Sequence, residues 1–368
     1  MAITRAETYV IPFGPAHPGS GNFRVWLTVD GERVIEARAD PGFLHRGFEK
    51  LMEYRTLLQA SVLTDRIAVF EPLNWNLVFA LAAEKLQGIE VPERAKYIRV
   101  LLAELTRIQS HLLWFGAAGI AMGFDTVFKV ALTYREEILR VFEEATGGRV
   151  YPTGYIRPGG VRWDLPEGFL ERAEGVLRHI EYHLSDLNDL FFENPSFVAR
   201  TKGLAVLSPE EGIRLGASGP ALRASGVPYD VRADDPYLVY DRLEFQVITR
   251  REGDALARFL VGRDEVLESV KIGIQAIRDM PEGEHAVKVG PFAKVKEGEA
   301  YVHIEAARGD AGCYIVGTGE RTPYRVKFRG PSFTLLIPVL EHLLQGVEIA
   351  DVPVVYWSLN HCPADMDR

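Results

Sequence analysis

The chain has 368 residues, 47 % hydrophobic and 25 % charged, a composition that can bury a sizeable globular core. Its net charge of −9 argues against a general nucleic-acid binder, whose phosphate contacts need a basic surface. Two cysteines, Cys313 and Cys362, exclude a disulfide framework and an iron–sulfur cluster held by this chain alone, which takes about four thiolates.

The first residues carry no basic run followed by an apolar stretch, so no secretory signal is expected. No apolar run approaches the roughly 20 residues needed to span a bilayer. Asn and Gln are scarce beside Glu and Arg, a thermophile-like balance.

Residues 7–40 read as strands, with Phe23 to Val29 rich in β-formers, a turn at Asp30-Gly31, and β character resuming at Val34 to Ala37. From His45 the period becomes helical. Glu49 to Leu58 is one helix, and Trp75 to Leu86 a more apolar one. Pro92 opens the clearest helix, in which Ile98, Leu101, Leu102, Leu105, Ile108 and Leu112 share a face. His111 lies beside that face and reads as structural. Val127 to Ala145 and Leu165 to Phe192 continue helical. Turn residues dominate 216–236, a helix is expected over Gly253 to Ile277, and β-like alternation runs from Glu299 to Phe328. Cys313 sits in that β-like stretch and reads as core. Ser332 to Leu344 reads as a helix before an irregular tail. With no repeat, linker or composition boundary, residues 1–368 read as one interwoven α+β domain. Its parts are an N-terminal β portion (1–44), a helical bundle (45–200) and a mixed α/β portion ending in a motif tail (201–368).

Several segments stand in a distinctive order: Gly14-Pro15-Ala16-His17-Pro18, Pro41-Gly42-Phe43-Leu44-His45-Arg46-Gly47-Phe48-Glu49-Lys50, Ala83-Glu84-Lys85-Leu86, Tyr97-Ile98-Arg99-Val100, Arg157-Pro158-Gly159-Gly160-Val161, Gly219-Pro220-Ala221-Leu222-Arg223 and Arg329-Gly330-Pro331. The set resembles the D-type (49-kDa) subunit family of complex I and the related large subunits of membrane-bound nickel–iron hydrogenases. That resemblance implies a hydrogenase-large-subunit-like fold: a central bundle of long helices, an N-terminal β-hairpin and peripheral β segments. It also implies where the chemistry lies. The hydrogenases hold nickel and iron with four thiolates, two in an N-terminal motif and two in a C-terminal one. Here the first motif reads Arg66-Ile67-Ala68-Val69-Phe70-Glu71, and the second reads Asn360-His361-Cys362-Pro363-Ala364-Asp365-Met366-Asp367-Arg368. Three of the four thiolates are replaced, by Ala68, Glu71 and Asp365. No metal is expected in this chain, and hydrogen activation is not expected.

For the quinone-reducing relatives, the resemblance implies a tyrosine and a histidine–aspartate pair around the head group. Those positions fall on Val69, Gly21 and Ala121, none of which donates a side-chain hydrogen bond. His17 and His45 remain as possible donors. The departures are similar to the archaeal membrane-bound sulfane-sulfur reductase branch, which implies a lone thiol for capturing a sulfur chain. On that reading Cys362, His45, Glu71, Asp365 and Arg66 carry the chemistry, while His17, Arg46 and Val69 contact substrate. Arg46 or Arg66 would lower the thiol's pKa.

The resemblance further implies partners: a small iron–sulfur protein of the complex I B type holding a 4Fe–4S cluster, a complex I C-type protein, membrane-arm subunits, and ferredoxin or a similar donor. The chain would then sit peripherally on the cytoplasmic side of the membrane. A pocket reducing quinone, and a scaffold without chemistry of its own, stand as alternatives.

Overall fold

The computed structural model describes residues 8–17 and 19–368; Glu7, at the start of the β reading, and Pro18 of the Gly14–Pro18 loop lie outside the described residues. An antiparallel sheet opens the chain, with β1 (Thr8–Phe13) on β2 (Arg24–Asp30) and β2 on β3 (Arg33–Asp40). Val25, Leu27 and Val29 are buried and alternate with part-exposed neighbours, the period of a half-buried strand.

The helices follow. Glu49 to Leu58, read as one helix, is two: α1 (Phe48–Met52) and α2 (Leu57–Thr64). Thr56 ends the first run by capping the second. Its hydroxyl accepts from Gln59 N and the Gln59 side chain accepts from Thr56 N, a reciprocal capping box. α3 (Pro72–Gln87) leads to α4 (Glu93–Ala121), 29 residues or about 43 Å long. α4 is buried nearly all round, between α5 (Asp125–Thr146) and the helix Ala255–Asp279. α6 (Phe169–Leu187) begins after Pro166 and Gly168 and runs into a π-turn at Asn188–Phe192.

A two-residue ribbon joins β4 (Ile156–Arg157) to β5 (Gly160–Val161), and a second antiparallel sheet orders β6 (Gly298–Ala306), β7 (Gly309–Gly317) and β8 (Arg325–Arg329). Ala306 pairs with Gly309, so Ala307 and Arg308 form the tight β6–β7 turn. Cys313, in β7, is buried as expected of a core residue. The helix expected over Ser332 to Leu344 is interrupted by a π-turn at Leu335–Val339 containing Pro338, which lacks the N–H that a regular helix needs. The tail read as irregular instead holds two short helices, Val352–Ser358 and Pro363–Asp367.

The expected α+β architecture is therefore present, with a main buried apolar cluster drawing on residues from Phe13 to Met366 and a small second one at Ala224, Ala257 and Val261. Several of the ordered motifs serve this framework. Arg99 on α4 pairs with Glu84 on α3 at 2.6 Å and donates from Nη2 to the carbonyls of Arg157 and Gly160, each at 2.9 Å. Gly159 N donates to the same Glu84 carboxylate at 2.8 Å. Three motifs thus meet in one dry ion pair, whose loss of either partner strands a buried charge.

Candidate functional site

The C-terminal motif is held by the loop after β3. The carboxylate of Asp367 accepts from Gly42 N and Leu44 N, both at 2.9 Å. His45 Nδ1 lies 2.7 Å from the Asp367 carbonyl, and the Arg368 carbonyl accepts from Arg46 N and Gly47 N at 3.2 Å. Arg46 then ties both motifs together. Its Nη2 donates to Ala364 O at 2.7 Å and Ile67 O at 3.3 Å, and its Nη1 donates to Arg66 O. One guanidinium fork thus satisfies carbonyls on two segments almost 300 residues apart in the chain.

Cys362 begins the last helix and is 2 % exposed. Its backbone N–H donates to Ser332 Oγ at 2.9 Å, and that hydroxyl donates to Asp365 Oδ2 at 2.7 Å. Ser332 N donates to Asp365 Oδ1 at 3.2 Å. The approach depends on Gly330, since a Cβ there would lie 2.5 Å from Asp365 Oδ1. Burial, reinforced by the Glu71 carboxylate, raises the Asp365 pKa to about 7.

Glu71 enters from the other side, at the start of α3. It is fully buried, accepts from Ala307 N at 2.8 Å, and lies 3.1 Å from Arg308 Nη1. Arg308 is equally buried and its guanidinium stacks on Phe70, 4.5 Å from the ring centre. The β6–β7 turn that carries it packs against Gly219, where a Cβ would stand 2.2 Å from Arg308 O. None of the three Arg308 guanidinium nitrogens makes a well-formed hydrogen bond. Donors of that kind, dry and unsatisfied, suit an anion or ordered water.

Burial raises the Cys362 pKa to about 11 against the opposing pull of Arg308. Arg308, which sequence reasoning missed, is the main cation favouring the thiolate, and Arg46, expected in that role, also interacts with the Cys362 charge. The guanidinium of Arg66, expected in that role, is taken up by Asp65 at 3.1 Å and by the Tyr151 ring at 4.6 Å. Arg66 contributes its carbonyl, the one held by Arg46. His361, beside Cys362, is kept neutral by burial, its pKa lowered to about 3, and packs 4.0 Å from Tyr356.

Glu71, Asp365, Cys362 and Arg308 thus share one electrostatic neighbourhood, with Arg46 bracing it. Val69 is half-buried on the loop between α2 and α3, within the first motif. Gly21 lies beside the tail, where a Cβ would be 3.6 Å from Pro363 Cγ, while Ala121 is the last residue of α4. His17 is exposed, accepts from Gly19 N at 3.0 Å and packs on Phe13. His45 lines a cavity of about 330 Å³ beside the tail, where Lys50, Arg325, Lys327 and Arg368 are interleaved with Glu49 and Asp367. Glu49 pairs with Lys327 at 3.0 Å and with Arg368 at 3.1 Å. Among the described residues, no three His, Cys, Asp or Glu side chains converge as metal ligands.

Comparison with known proteins decides the family. The model of the respiratory-chain NADH dehydrogenase 49 Kd subunit matches residues 121–293 and 285–368. The chain belongs to that family. It is 42 % identical to the D subunit of the NADH-quinone oxidoreductase of Desulforamulus reducens, covering 99 % of both chains. It is 41 % identical to the D subunit of the F(420)H(2) dehydrogenase of Methanosarcina mazei, over 98 % of this chain and 97 % of the other. Among solved structures it is similar to a chain of the membrane-bound sulfane sulfur reductase, an archaeal respiratory membrane complex. That match has a TM-score of 0.95 at 42 % identity, covering 99 % of this chain and 100 % of the other. The protein is thus an oxidoreductase subunit of the complex I-like class. Among the described residues no helix is long and apolar enough to cross a membrane.

Proposed function

We propose that this subunit forms the electron-acceptor site of a membrane-bound, complex I-like oxidoreductase and that its acceptor is sulfane sulfur, not the proton. The observation that carries the reading is Cys362 beside the unsatisfied guanidinium of Arg308, with Glu71 and Asp365 standing where further thiolates are absent. Electrons arrive from an iron–sulfur cluster in a neighbouring small subunit, supplied by ferredoxin or a similar donor. A complex I C-type protein and membrane-arm subunits complete the assembly and hold this chain on the cytoplasmic face.

In the reaction, Cys362 passes its thiol proton to the Asp365 carboxylate. The sulfur then attacks the terminal S–S bond of a polysulfide, giving a cysteine persulfide and a polysulfide one sulfur shorter. Two electrons and one proton cleave the persulfide to cysteine thiolate and hydrosulfide. Arg308 stabilises the negative charge at each stage, and Arg46 keeps the two motif loops in register.

Quinone reduction is the second reading, favoured by relatives of that name at 42 % and 43 % identity in Desulforamulus reducens and Thermosipho melanesiensis. Val69→Tyr discriminates between them: it should raise quinone turnover only if a quinone head enters this site. Cys362→Ser tests the covalent step, since unchanged polysulfide reduction in that variant removes it.

A further inference from the structure

The turn that carries Arg308 does not hold its own shape. A two-residue connection between antiparallel strands favours positive φ at its first residue or at both. Ala307 and Arg308 form that connection, and neither takes a positive φ. Its geometry is set from outside, by side chains of three other segments.

Three successive carbonyls leading into the turn are held by buried donors. Arg107 on α4 donates from Nη2 to Glu305 O at 2.6 Å and from Nη1 to Ala306 O at 2.9 Å. Asn360 donates from Nδ2 to Ala307 O at 3.1 Å, and Ala307 N donates to Glu71 at 2.8 Å. Ala307 is thus gripped through both its carbonyl and its N–H, immediately before Arg308. The Arg308 guanidinium makes no well-formed hydrogen bond of its own. Its place depends on this turn, on the Phe70 stack and on Glu71.

Asn360 is the part of the grip that belongs to the C-terminal motif, two residues before Cys362. Its φ is 48°, a left-handed conformation that Asn adopts more readily than most side chains. Its amide nitrogen also lies 3.3 Å from Nδ1 of His111 on α4. An amide nitrogen only donates, so His111 Nδ1 accepts, and the ring proton sits on Nε2, 3.0 Å from the Glu265 carboxylate. Burial lowers the His111 pKa and keeps the ring neutral, as an acceptor must be. Both amide hydrogens of Asn360 are then in use. Turning the amide over would set its oxygen against the Ala307 carbonyl, so His111 fixes which way Asn360 points. Asn360, His111 and Arg107 are all at most 1 % exposed.

We propose that Asn360 is a positioning residue of the acceptor site: its amide holds the turn at Ala307 and so sets where the Arg308 guanidinium stands relative to Cys362. It touches no reacting atom. The proposal rests on the acceptor-site reading for the role of Arg308, but not on which acceptor is reduced. Misplacing a stabilising group by about 1 Å costs on the order of a hundredfold in rate, so a slack turn is felt at the thiol.

Asn360→Gly separates the amide from the backbone, because Gly keeps the left-handed conformation and removes the side-chain donor. In the assembled complex, with whichever acceptor turns over, it should lower turnover at least about tenfold. Asn360→Asp keeps the shape but sets a carboxylate against the Ala307 carbonyl, and should lose as much. Two readouts need no acceptor. Electron cryomicroscopy of the Asn360→Gly complex should show the Ala307–Arg308 turn displaced and the guanidinium off the Phe70 ring. Alkylation of Cys362, followed on the peptide that carries it, should slow about as much as in Arg308→Met, whereas a tail that merely loosened would react faster. Adding Asn360→Gly to Arg308→Met should slow alkylation no further, since Asn360 acts through Arg308. Wild-type turnover, an unmoved turn, faster alkylation or additive effects each overturn the proposal. If Asn360→Gly does not assemble, Asn360→Asp decides by the same readouts. Failure with every acceptor counts against the acceptor reading alone, and the turn position and the alkylation rates still decide this one.

Discussion

Arg308 and Glu71 face each other at 3.1 Å between the β6–β7 turn and the start of α3, and neither side chain reaches solvent. The pair joins the first motif, through Glu71, to the β6–β7 turn with opposite charges. Desolvating both ions is expensive, so the pair contributes little net stability by itself. Its value lies in presenting a cation, with unsatisfied nitrogens, next to Cys362.

Removing one partner should therefore be worse than removing both. Glu71→Leu or Arg308→Met alone should each cost about 3–5 kcal/mol, because each leaves a buried charge without its counterion. The double variant should recover most of that stability and none of the activity. Denaturant unfolding of the four proteins gives the coupling energy directly.

Arg46→Lys should loosen the tail. A single ammonium cannot reach the carbonyls of Arg66, Ile67 and Ala364 as the guanidinium fork does. Hydrogen exchange of residues 362–368 should accelerate while exchange in α4 stays the same, and turnover should fall several-fold.

Asp365 carries a pH signature. Its pKa rises from 3.8 to about 7 on folding, so the folded state binds the proton more tightly than the unfolded chain. Stability from this group is complete below the unfolded value and is lost as pH climbs toward about 7, by at most about 4 kcal/mol. Asp365→Asn removes that loss. Measured against wild type, the variant should gain relative stability between about pH 5 and pH 8, whatever its constant packing cost.

Cys362 should be a slow thiol at rest. With its pKa raised to about 11, alkylation at neutral pH should run far below the rate of a free cysteine and climb steeply with pH. Arg308→Met should slow it further, by removing the guanidinium that most favours the thiolate. An alkylation rate at neutral pH equal to that of free cysteine contradicts this placement.

The sequence and structure agree where local patterns carried the information. Apolar spacing located α4, and the family resemblance singled out Cys362, Asp365 and Glu71, which the fold brings into one electrostatic neighbourhood. What was not legible is instructive. Arg308 sits in Ala-Ala-Arg-Gly, a tight turn between two strands, and nothing in that spacing says that the turn is buried against a distant helix. Glu104, Arg107 and His111 lie within the α4 sequence, where Leu and Ile spacing suggests a single apolar face. They are buried as well, because the helix is packed on all sides and its charges are satisfied by segments more than 100 residues away. The split at Thr56 was within reach, since Thr56-Leu57-Leu58-Gln59 is the local signature of a capping box.

The most direct test of the central claim supplies the purified membrane complex with reduced ferredoxin and follows donor oxidation on adding either polysulfide or a soluble quinone. The account predicts turnover with polysulfide, none with quinone, and loss of the polysulfide reaction in Cys362→Ser. Turnover with quinone alone, or full polysulfide reduction in Cys362→Ser, contradicts it.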